Sequence, residues 1–89
     1  MRGKDMPTIS RFYGLAVKMY FKGGEHNPPH IHVLYGEYMG AINIKTQELM
    51  EGDLPSRALS LAKEWIKKYE AELLDIWNTQ IIKEIPPLE

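Results

Sequence analysis

Apolar and polar residues alternate over residues 15–21, LAVKMYF, with Leu15, Val17, Met19 and Phe21 on one side and Ala16, Lys18 and Tyr20 on the other. A period of two belongs to a strand with one buried side. Residues 8–13, TISRFY, are β-prone and end at Gly14, which predicts a preceding strand or the run into one. Gly23-Gly24 stops the first pattern and a loop follows through Pro28-Pro29. HIHVLY then resumes it, with Ile31, Val33 and Tyr35 on one side. Gly36-Glu37 separates two β-prone runs by two residues with glycine first, which suits a type II′ hairpin. That turn sets a register: Tyr35 opposite Tyr38, Val33 opposite Gly40, Ile31 opposite Ile42, apolar face against apolar face. The reverse face pairs Leu34 with Met39, His32 with Ala41 and His30 with Asn43.

Residues 46–51, TQELME, predict a short edge strand before Gly52. A helix follows, capped at Asp53 or Leu54, with Pro55 in its first turn and its end near Asn78. Leu59, Ala62, Ile66, Tyr69, Leu73 and Trp77 recur at three- and four-residue steps and form its apolar stripe. The stripe needs a sheet to cover, and the odd-numbered face of residues 15–35 needs a cover. The expected fold is α+β: an antiparallel sheet of four or five strands with one long C-terminal helix packed on one face. Residues 1–5 read as a loose leader and residues 6–89 as a single α+β domain. Beyond the helix, Ile81, Ile82 and Ile85 are placed to dock on the domain or on a partner.

Composition narrows the function classes. The 89-residue chain is 44% hydrophobic, enough for one small core. It has no cysteine, which removes disulfides and thiolate metal sites and fits a reducing cytoplasm. No apolar run approaches the roughly 20 residues of a membrane span, and no signal-peptide core follows the first five residues. A cytoplasmic protein without membrane contact is the expectation. The net charge of −1 hides an asymmetry, since residues 1–45 sum to +3 and residues 46–89 to −4. An acidic, solvated helix accounts for it, while a basic amino-terminal half could meet an anion.

All three histidines fall within HNPPHIH at residues 26–32: His26, His30 and His32. Strand residues two apart lie about 6.6 Å apart on one face, so His30 and His32 could reach one divalent metal, with His26 as third ligand and Glu25 or Asn43 nearby. The plain reading is a hydrogen-bonded surface pair, and no cofactor is expected. The spacing from Gly24 to Glu37 matches most of a cupin metal motif. Ile44 stands where that motif closes on glycine, no later histidine follows, and Glu37 lies about 16 Å along the strand from His32, so the cupin reading fails. If residues 23–29 join neighbouring antiparallel strands, Lys22 falls near His30 and Tyr20 near His32, with Lys18 further along. Two lysines, two histidines and a tyrosine could hold phosphates and stack a base of RNA, and paired imidazoles could act as acid and base on a 2′-hydroxyl. The binding candidates are therefore His26, His30, His32, Lys18, Tyr20, Lys22 and Asn43, with His30 and His32 the catalytic candidates. Serines sit in no nucleophile-elbow pattern and no glycine loop resembles a phosphate cradle.

MPTISRFYG at 6–14, MYF at 19–21, EHNPPHIHV at 25–33 and YGE at 35–37, with Glu51-Gly52, Leu54-Pro55, Trp65 and Trp77, closely resemble a small bacterial family, the domain of unknown function DUF4160. The likeness runs from Met6 through nearly the whole chain. It implies a compact cytoplasmic protein, often encoded beside another small protein, and hence a toxin–antitoxin-type pair or small regulatory complex. It supplies no catalytic residues. The leading expectation is an interaction module with a protein partner or a homodimer. The alternative is a small ribonuclease or metal-dependent hydrolase working through His26, His30 and His32.

Overall fold

The computed structural model describes residues 7–20 and 28–89. The leader, the Gly23-Gly24 strand stop, Lys22 and His26 lie outside the described residues. Five strands, β1 (Thr8–Phe12), β2 (Leu15–Lys18), β3 (His30–Tyr35), β4 (Tyr38–Asn43) and β5 (Leu49–Asp53), form an antiparallel sheet in chain order. Two helices follow, α1 (Ser56–Lys68) and α2 (Glu70–Thr79). The β3–β4 hairpin has the expected register, with Tyr35 opposite Tyr38 and Ile31 opposite Ile42. Gly36 takes φ 58° while Glu37 keeps a negative φ, the combination a type II′ turn needs. β1 and β2 join through Tyr13-Gly14, both at positive φ.

β5 starts later than the TQELME reading and runs through Gly52, because Met50 is an extra residue between the Ala41–Glu51 and Ile42–Leu49 pairs. Gly52, at φ 81°, crosses so close to β4 that a Cβ would run into the carbonyl oxygen of Met39. Asp53 is thus still a strand residue opposite Met39, and the helix cap moves to Pro55. Its extended backbone needs no N–H there, and its carbonyl accepts the Leu59 N–H at 2.9 Å.

The one long helix is corrected to two. Tyr69 leaves helical geometry at φ −117°, ψ 26°, although its N–H still reaches Trp65 O at 3.1 Å. A straight helix over residues 56–79 would be about 36 Å long. The molecule measures 32 × 25 × 23 Å, so the break keeps both segments on the sheet. The apolar seam shifts accordingly. Ala58, Ala62, Trp65, Ile66, Leu73 and Ile76 are buried, whereas Leu59, Tyr69 and Trp77 pack only partly buried against the core.

These helical residues close over Val17, Ile31, Val33 and Ile42, all fully buried on one sheet face. The chain beyond α2 turns back through Gln80 at φ 61° and covers the outer edge of β1. Ile85 N–H donates to Ile9 O at 3.1 Å and the Trp65 Nε1–H donates to Pro86 O at 2.9 Å. Ile85 and Leu88 are buried against the protein's own core, and Ile81 stays exposed. Of the three tail isoleucines, Ile85 and Ile82 thus dock on the domain itself, and Ile81 does not.

Candidate functional site

Because side chains alternate along a strand, the residues between the buried ones share the opposite sheet face. Cross-strand pairing arranges them in rows. One row runs Thr8, Lys18, His32, Ala41, Glu51; the next runs Arg11, Ala16, Leu34, Met39, Asp53. His30 and Asn43 begin a third row at the end of the face.

Lys18, not Tyr20, lies directly opposite His32, two residues from the expected register. A two-residue offset keeps every side chain on its face, so the set of neighbours survives. The Tyr20 ring is still 6.5 Å from the His32 ring, edge to face. His30 and His32 have ring centroids 5.2 Å apart, and His30 lies 5.2 Å from the Trp77 ring. Four rings therefore form a chain, Tyr20, His32, His30, Trp77, at the end of the sheet where α2 arrives.

The prolines preceding β3 shape this end. Pro29 O accepts the Ile44 N–H at 2.9 Å, and Pro28 O accepts from His30 Nδ1 at 2.9 Å. A carbonyl can only accept, so Nδ1 of His30 carries a proton and Nε2 is its free position in the neutral ring. No described peptide bond is cis, so the Pro28-Pro29 bond is trans. Nδ1 of His32 is buried and has no hydrogen-bond partner among the described residues. Burial lowers the pKa of His32 most, His30 lowers it further, and Glu51 pulls the other way. The ring is neutral at neutral pH and able to accept a proton.

Asn43 is placed opposite His30, yet its Oδ1 accepts the Lys45 and Thr46 N–H groups at 2.8 and 3.0 Å. That oxygen shapes the β4–β5 turn. Among the described residues no group of three or more histidine or carboxylate side chains is arranged to hold a metal. His30 and His32 form a pair, and the other two candidates, His26 and Lys22, lie outside the described residues. Two surface clefts, of about 340 and 430 Å³, lie away from the histidines, one between β1 and the tail and one between α1 and the β4–β5 turn. Trp77 and Glu51 are the neighbours that sequence reasoning missed. In the sequence Trp77 belongs to the helical stripe and Glu51 to the TQELME edge strand, and the fold brings them to His30 and His32.

The model of the family described as domain of unknown function DUF4160 matches residues 14–78. The match spans most of the chain, from the β1–β2 turn to near the end of α2, and the chain belongs to this family. No curated protein and no solved structure matches it. No helix among the described residues is long and apolar enough to cross a membrane.

Proposed function

We propose that this DUF4160-family protein is an interaction module, the partner-binding member of a small bacterial cytoplasmic pair of toxin–antitoxin or regulatory type, and that it binds through the helix-free sheet face. The observation that carries this reading is the row of that face nearest the β3–β4 turn. Ala16, Leu34 and Met39 lie side by side, none belongs to the core, and Met39 is 48% exposed. Met50, the extra residue of β5 beside Glu51, adds exposed apolar surface at 38%. Apolar residues ringed by Arg11, Lys18, Glu51 and Asp53 have the composition of a contact surface, apolar inside and charged at the rim. The test compares partner recovery from the source cell for the intact protein, Leu34→Arg and His30→Ala. Leu34→Arg should lose the partner and His30→Ala should keep it.

The neutral, orphaned His32 beside His30 favours a second reading, a ribonuclease or hydrolase. Here the His30 and His32 pair serves as acid and base, Lys18 meets a phosphate, and RNA is the substrate chemistry. The same two variants decide between the readings. Hydrolysis of a short RNA that is abolished in His30→Ala and retained in Leu34→Arg would replace the interaction reading.

A further inference from the structure

The two central rows of the helix-free face carry their charges in a fixed order. Each carries a cation on β1 or β2 and ends on a carboxylate of β5, with His32 and Ala41 between them in one and Ala16, Leu34 and Met39 in the other. The first row is Lys18, His32, Ala41, Glu51 and the second is Arg11, Ala16, Leu34, Met39, Asp53. Arg11, Met39, Glu51 and Asp53 are exposed, and Lys18 and Leu34 half-buried. Among the described residues the one ion pair is Lys83 with Asp75, at the far end of the chain, so none of these charges is ion-paired among the described residues.

We infer that this face seats a second copy of the same chain, in a two-fold pairing whose axis runs along β3. The inference rests on the reading of the face as a contact surface, and it names the occupant. Five strands span roughly 19 Å from β1 to β5. Turning one copy by half a revolution about an axis along the central strand carries β1 onto β5 of its mate. Arg11 then lies across from Asp53 of the second copy, and Lys18 comes within one strand spacing, about 4.8 Å, of lying across from Glu51. Leu34 meets its counterpart on the axis, and Met39 lies across from Ala16 of the second copy. A half-turn about the perpendicular in-plane axis sets cation on cation and acid on acid, so the charge order selects one dimer and rejects the other. The edge of β1 is taken by the tail, which leaves the face rather than that edge as the self-complementary surface.

The face is small for an interface, which sets the expected strength. Sedimentation of the full chain from about 5 to 500 μM should show the mass rising from 10.3 kDa toward twice that value, with midpoint in the tens of micromolar. Arg11→Asp and Asp53→Arg should each weaken association roughly tenfold, and the double exchange R11D/D53R should restore it. Both positions are exposed, so the single variants stay folded, and the double variant controls for any that does not. A chain that stays monomeric to the top of the range overturns the inference. So does a dimer indifferent to both reversals, which must use another surface. Loss of a different protein in Leu34→Arg, with no self-association, overturns the dimer while leaving the contact-surface reading intact. If Leu34→Arg also keeps every partner, both fail.

Discussion

The two faces of the sheet are made by alternate residues of the same strands, and they have opposite fates. On one, Val17, Ile31, Val33 and Ile42 are fully buried beneath α1 and α2. On the other, Leu34 and Met39 lie outside the core cluster, and Arg11, Glu51 and Asp53 are exposed. One face holds the protein together, while the other is free to specify what it meets. Substitutions on the first should therefore register as stability and those on the second as binding.

The largest effect belongs to Trp65, which is fully buried, contacts the Phe12 ring at 5.5 Å and holds the tail through Pro86. Trp65→Ala should cost about 3–5 kcal/mol, from the cavity and the lost hydrogen bond together. Leu34→Ala, on the helix-free face, should cost about 1 kcal/mol or less. Urea denaturation of both variants breaks the comparison if the two losses come out equal. Next in size is Gly52→Ala. It adds a left-handed penalty to a collision with the Met39 carbonyl and should cost about 2–3 kcal/mol in the same measurement. A near-neutral result would mean that β5 can lift from β4 at its bulge.

How far each face could be read from sequence follows from what sets the register. Gly36-Glu37 is a two-residue turn, and a two-residue turn fixes its strands locally, so the pairs from Tyr35–Tyr38 to His30–Asn43 were legible. β2 and β3 are joined by a longer segment that obeys no turn rule. There the period of two fixed the face but not the offset, which is why Lys18 rather than Tyr20 stands opposite His32. The helical periodicity was continuous through Tyr69, and nothing local marks the break. A straight helix would outrun the 32 Å length of the molecule, and α2, beyond the break, carries Trp77 to His30. The candidate histidines were visible as residues, while their surroundings came from three elements distant in the chain.

The smallest effect is the most specific to the helix-free face. The folded pKa of His32 lies below its ordinary value of 6.5, chiefly because burial disfavours the charged ring, then because of His30, with Glu51 opposing. Above 6.5 neither folded nor unfolded chain protonates this ring, and its contribution to stability is fully present. As the pH falls through 6.5 the unfolded chain takes up a proton that the folded chain refuses, so stability declines until the folded ring protonates at its own lower pKa. Urea midpoints between about pH 7.5 and 5 should fall for the intact protein and fall less for His32→Gln. His30, Lys18 and Tyr20 face the same ring and remain in the variant, so the difference between the two curves isolates His32. Glu51→Gln sharpens the comparison. It removes the one carboxylate that favours the protonated ring, so its midpoint should fall more steeply than that of the intact protein. Superimposable curves for all three chains would mean that His32 is as well solvated folded as unfolded, and that the face is open to water down to its histidines.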